Sequence, residues 1–154
     1  MSAGILIEKS GRMLTAEDPQ GTVLLRCRIA LGKQPEGHKR REGDGRTPEG
    51  NYYICLKRKE GRYGPALGLS YPSAGDAAGA CRDGSLDPSL LPLFEEAERL
   101  RKRPPWGTPL GGEIYLHGGG SERDWTAGCI ALNDDDMAVL FELCDVGDQV
   151  RIIP

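Results

Sequence analysis

One short segment holds two residue types that together can do covalent chemistry. His117 stands twelve residues before Cys129, with Gly118, Gly119, Gly120 and Gly128 between them. A thiol at its ordinary pKa is only a few per cent thiolate at neutral pH, so a nucleophilic cysteine needs a nearby base or cation. An imidazole supplies that base, and the glycine-rich spacing lets the loop fold back to bring the two together. With no side chain at Gly128, the N–H groups of Gly128 and Cys129 can converge on a carbonyl oxygen under attack. Donors aimed this way contribute about 3 kcal/mol each to transition-state stabilisation. No carboxylate is compelled to orient His117, so the expected partner is a backbone carbonyl of the glycine run. Such a pair is suited to attack on a carbonyl carbon. Taken singly, each residue is as well described as a loop histidine or a buried cysteine.

The residues around this pair are weighed the same way. Trp125, four positions before the thiol, can line a cleft or fill a core. Thr126 can hydrogen-bond near the thiol. Arg123 can meet a carboxylate bidentately, although an exposed loop arginine is the favoured explanation. Gly118 opens a glycine run suited to close approach by another chain, and is a candidate substrate contact.

Short elements must position these residues. Gly4–Lys9, Arg12–Ala16 and Val23–Leu31 read as strands of a meander, split by Ser10-Gly11 and by Asp18–Gly21. Gly43–Gly50 places three glycines and a proline in eight residues, a turn cluster assigned to structure, before a strand at Asn51–Lys57. Gly61–Ser85 reads as a loop or flap containing a short strand that ends at Pro72. Asp87-Pro88 offers a cap for a helix through Leu90, Leu93, Phe94, Ala97 and Leu100. Glu113–Leu116 is a brief strand, Asn133 caps a second helix with Asp134, Asp135 and Asp136 in its first turn, and Gln149–Ile153 is a last strand. The reading is a single domain over 1–154, mainly β with about two helices.

Composition narrows the function. Of 154 residues, 38% are apolar and 28% charged, and 23 acids against 20 bases give a net charge of −3, which argues against general nucleic-acid binding. Lys39-Arg40-Arg41 and Arg99–Arg103 are basic, but without interleaved aromatics they read as solvated faces. Five cysteines without a Cys-x-x-Cys pair suggest neither a zinc site nor a complete disulfide framework. Cys27, Cys55 and Cys144 read as small buried hydrophobes, and Cys81 is unassigned. No Gly-x-Ser-x-Gly elbow, Gly-Lys-Ser/Thr phosphate loop or EF-hand spacing occurs. Met1–Ile7 lacks the basic and apolar regions of a secretory leader, and no stretch approaches membrane-spanning length, so a soluble mature chain is expected.

Several motifs in one order carry a resemblance: Gly43–Gly50 before a tyrosine-bearing strand, Leu69–Pro72, Thr108–Gly112, Ile114–Gly118 and Gly128–Leu132. Together they are similar to the L,D-transpeptidase catalytic domain, also called YkuD-like, across nearly the whole chain. The resemblance implies a β-sandwich of mixed sheets with the cysteine in a cleft under a flap. It also implies acyl transfer on peptidoglycan stem peptides, without metal or organic cofactor. Carried over, Cys129 is the nucleophile, His117 the base, and Gly128 with Cys129 the oxyanion donors; Tyr71 joins the substrate-binding candidates because the corresponding family segment borders the site. Ala127 and Ala131 stand where the commonest pattern has histidine and arginine. That departure leaves L,D-carboxypeptidase or amidase activity as an alternative, and a non-catalytic peptidoglycan-binding module as the rival from another class. The family implies a bacterial cell envelope or periplasmic setting, the lack of a leader leaves the cytoplasm open, and oligomeric state is left open too.

Overall fold

The computed structural model describes residues 2–154; Met1, part of the segment read for a leader, lies outside them. Eight strands are present: β1 (Gly4–Glu8), β2 (Met13–Glu17), β3 (Val23–Ala30), β4 (Gly50–Gly61), β5 (Gly64–Leu69), β6 (Tyr115–His117), β7 (Ile130–Leu132) and β8 (Gln149–Ile153). Three α-helices join them, α1 (Ala74–Asp83), α2 (Leu91–Arg99) and α3 (Asp134–Leu143).

Strand pairing runs without a break through β1-β2-β3-β7-β6-β5-β4-β8 and back to β1, a closed barrel where a two-sheet sandwich was expected. The sheet is mixed, as expected: β1 with β8 and β6 with β7 are parallel, and the other pairs are antiparallel. Alternation puts Ile5, Ile7, Leu14, Ile29, Ile54, Leu67, Leu69, Leu116, Ile130 and Leu132 into one core, which α3 joins through Met137, Leu140 and Phe141.

The Gly61–Ser85 stretch is more ordered than a loop. It finishes β4, turns at Arg62-Tyr63, returns as β5, and then forms α1. Helix α1 opens on a capping box, in which Ser73 Oγ accepts from Asp76 N–H while Asp76 accepts from Ser73 N–H, and ends on Gly84 at φ 86°. Its Ala77 and Ala80 pack with Leu86, Phe94 and Leu110 in a second small core. The helix expected after Asp87 starts as a 3-10 turn at Pro88–Leu90 and continues as α2. No helix among the described residues is long and apolar enough to cross a membrane.

Two lysines are buried. Lys9 donates to Gly37 O (2.9 Å), Thr47 O (2.8 Å) and Glu49 Oε2 (3.1 Å), fastening the segment before β4 to the end of β1. Burial pulls its pKa down, against the carboxylate of Glu49, which holds it up. Lys39, expected on a solvated face, is 3% exposed and ion-paired with Asp44 at 3.0 Å. Asp44 also takes the N–H groups of Arg40, Arg41 and Arg46, so the turn cluster folds around one carboxylate. Burial alone would raise the Asp44 pKa; these donors outweigh it and hold it down.

Candidate active site

Strand pairing sets the distance between thiol and imidazole. His117 ends β6 and Cys129 immediately precedes β7, and the parallel register aligns Leu116 with Ile130 and His117 with Ala131. Cys129 therefore sits beside Tyr115, whose N–H donates to Sγ at 3.3 Å, while the thiol donates to Glu113 O at 3.5 Å. Tyr115 and His117 share a face of β6 because side chains alternate, so sulfur and imidazole lie on one side of the sheet. Two pockets, of about 540 Å³ and 150 Å³, each have both residues in their lining.

The loop between them is pinned at nearly every turn. Gly119 N–H donates to Asp134 Oδ1, Gly120 N–H to Leu132 O, and Trp125 Nε1 to Gly120 O, each at 3.0 Å. Asp124 accepts Arg12 in a forked pair and Leu31 N–H at 2.9 Å. Asn133 holds the N-cap position of α3, yet its side chain accepts from Ser121 Oγ and makes no cap bond. A Cβ at Gly118 would meet Asp134 Oδ1 at 2.5 Å, which is why glycine is needed there. Gly118 is buried, and its part in the site is its carbonyl, 2.6 Å from His117 Nδ1.

That contact defines the imidazole. A carbonyl only accepts, so Nδ1 carries the hydrogen and Nε2 is the free acceptor. The expected backbone carbonyl from the glycine run is thus present. Burial lowers the His117 pKa, more than the bond to Gly118 raises it, which favours the uncharged ring. Burial raises the Cys129 pKa, partly offset by Tyr115 N–H and by the Lys39 charge. Both shifts favour the uncharged forms.

Gly128 adopts φ 143°, and a Cβ there would come within 2.7 Å of Arg46 O and 3.2 Å of Ile114 Cδ1. Its N–H donates to Thr126 Oγ1 at 3.1 Å, while the same hydroxyl donates to Cys129 O at 2.7 Å. Thr126 is therefore a buried clamp on the turn that carries Cys129. It also holds the Gly128 N–H that was expected in an oxyanion hole.

The other candidates divide. Trp125 borders the larger pocket and meets His117 edge-on, ring centroids 5.7 Å apart. Arg123 lies one pocket further, beyond Tyr63 and Trp125. Tyr71 does not reach the cleft: it is fully buried, with its hydroxyl on Leu110 O at 2.8 Å and its ring against His38 and Tyr52. A core tyrosine needs one acceptor for its hydroxyl, and a loop carbonyl supplies it. Gly43 and Gly45 of the turn cluster, assigned to structure, also border the larger pocket.

Tyr63 was missed. At the tip of the β4–β5 hairpin it stacks on His117, centroids 4.6 Å apart and planes 16° apart, and meets Trp125 edge-on at 5.3 Å. The signal was Gly61-Arg62-Tyr63-Gly64, two glycines bracketing a tight turn.

The remaining cysteines are placed for packing. Burial pushes Cys27 and Cys144 up to about 12 and Cys55 up to about 11; Cys55 and Cys81 are half-buried, and all five thiols are free. No cluster of metal-ligating side chains occurs among the described residues.

The closed mixed barrel that carries this cleft defines a class of fold that known proteins also show. The family model for the L,D-transpeptidase catalytic domain, YkuD, matches residues 2–152. The chain belongs to that family. Among solved structures it is similar to the helical cell shape determining protein Pgp2 from Campylobacter jejuni in a mutant form, with 25% identity and a TM-score of 0.68 over 98% of this chain and 46% of that one. It also resembles Bd1075 from Bdellovibrio bacteriovorus (18% identity, TM-score 0.59, 98% of this chain and 47% of that one) and an L,D-transpeptidase from Mycobacterium smegmatis (14%, 0.57, 99% and 59%). The chain thus spans about half the length of these structures. Among curated proteins none matches the sequence.

Proposed function

We propose that this domain is a cysteine-dependent acyltransferase acting on peptidoglycan stem peptides. The observation that carries the reading is that Cys129 and His117 line the same two pockets, with His117 Nδ1–H fixed on Gly118 O. That leaves Nε2 to take a proton. In the first half-reaction the thiol proton passes to Nε2, sulfur bonds to the carbonyl carbon ahead of a terminal D-alanine, and the carbon–nitrogen bond breaks. His117 returns the proton to the leaving amine. The Cys129 amide stabilises the oxyanion. An amine or water then attacks the thioester, giving transpeptidation or hydrolysis.

Hydrolysis is the second reading, and two positions favour it. Ala127 is exposed on the wall of the larger pocket and Ala131 is fully buried, so neither offers the polar group that the commonest family pattern places beside the nucleophile. The family supports a cell-envelope setting.

The test is incubation with a disaccharide-tetrapeptide ending in D-alanine, with and without an amine acceptor, followed by mass spectrometry against Cys129→Ala. Loss of D-alanine with an acyl adduct on Cys129 is expected. A cross-linked product only with acceptor identifies a transpeptidase, and release without cross-linking a hydrolase. Equal inertness of wild type and variant on tetrapeptides and cross-linked dimers overturns the reading in favour of a binding module.

A further inference from the structure

The smaller pocket beside the thiol has a charge pattern that the reaction above does not use. Its floor is Ala66 and its walls are Tyr63 and Tyr115. Arg58 and Arg62 border it, and no carboxylate does. Both arginines are exposed, and neither makes an ion pair among the described residues. Each instead lies over a ring, Arg58 at 5.7 Å from Tyr115 and Arg62 at 5.5 Å from Tyr63.

The register fixes how far these charges stand from the chemistry. Arg58 pairs with Ala66, and Ala66 with His117, so the three form one row across β4, β5 and β6. Two strand spacings separate Arg58 from His117, about 10 Å between backbones. The small side chain of Ala66 leaves the gap open. The pocket's volume of about 150 Å³ holds about five water-sized groups, the size of one small amino-acid residue.

We propose that Arg58 and Arg62 form a carboxylate subsite for the residue leaving from the thioester-forming step, so that the enzyme selects peptides ending in a small residue with a free carboxylate. The proposal rests on the acyl-transfer reading and sharpens it. A guanidinium pairs with a carboxylate through parallel N–H bonds, and a small apolar pocket with two unpaired cations at its rim suits an alanine-sized terminus. Arg62 also borders the larger pocket.

The experiment compares turnover of a tetrapeptide with a free terminal D-alanine carboxylate and of the same peptide as its terminal carboxamide. The enzymes are wild type, R58Q, R62Q, the double variant and R62K, each checked for an unchanged thermal transition. Wild type is expected to prefer the acid by about 10- to 100-fold in kcat/KM, mostly through KM. The double variant is expected to lose that preference while its rate on the amide stays within about twofold, and R62K to keep part of it. A wild type that turns over both peptides equally, or a double variant that keeps the wild-type ratio, overturns the subsite alone. A wild type inert on both, with no adduct on Cys129, overturns the acyl-transfer reading and the subsite with it.

Discussion

Replacing Lys9 with methionine tests how the segment that walls the site is held. The Lys9 ammonium is almost fully enclosed and satisfies Gly37 O, Thr47 O and Glu49 Oε2. Methionine keeps much of the stem's packing and deletes the three bonds. Each buried carbonyl left without a donor costs about 1–3 kcal/mol, while Glu49, 21% exposed along its side chain, recovers part of its loss from water. Removing one partner of a buried pair costs about 3–5 kcal/mol, offset in part by the ammonium no longer being desolvated. We therefore expect a net loss of about 3 kcal/mol. For a domain of this size that lowers the melting temperature by about 6–12 °C. The assay is thermal and urea unfolding followed by circular dichroism, with Glu49→Gln as companion. Glu49→Gln removes the charge and leaves both carbonyls capped, so it should cost no more than about half as much. A Lys9→Met loss under about 1 kcal/mol, or equal losses in both variants, would refute the assignment of the stability to capped carbonyls.

Tyr63→Ala removes the ring stacked on His117 and should lower kcat/KM by about 3- to 10-fold. It should also move the acid limb of the pH profile upward, because the imidazole gains water. In wild type the base must be neutral. Burial lowers its pKa, so kcat/KM should rise as pH increases with a midpoint below that of an ordinary histidine, which a profile between pH 4 and 9 checks. Peptide mapping after brief iodoacetamide treatment at pH 7.5 should find label on Cys129 and half-buried Cys81, and none on Cys27, Cys55 or Cys144 until the protein is unfolded. Gly128→Ala drives a Cβ into Arg46 O and should reduce acylation at least 100-fold, read as adduct formation on intact protein, with a loss of about 2 kcal/mol in stability.

How much could be read beforehand depended on the range of the interactions. The meander β1–β3, helices α2 and α3, and strand β8 carry their periodicity in a few residues, and all are present. Helix α1 escaped because Gly75 and Gly79 interrupt it and its buried side chains are only alanines; the Ser73–Asp76 capping box and Gly84 were the usable signals. His117 and Cys129 stood out because the pair is local in sequence. Tyr63 did not, because its contact with His117 exists only once β4, β5 and β6 are paired. Lys39 looked solvated because three basic residues in a row usually are, and its buried partner Asp44 lies across a turn. Tyr71 borrowed its place from a family segment, whereas here its hydroxyl is satisfied inside the core.

Strands β6 and β7 are consecutive, adjacent and parallel, and such neighbours need a long return path that is usually a helix. Here the return path is the loop from Gly118 to Cys129. The residues that complete the barrel thus include Cys129, and closing the sheet brings its sulfur into the cleft that His117 also lines. Competence for chemistry is then acquired in the same cooperative event as the fold. During refolding, selective labelling of Cys129 should emerge together with protection of the β6–β7 backbone amides from exchange, neither running ahead of the other.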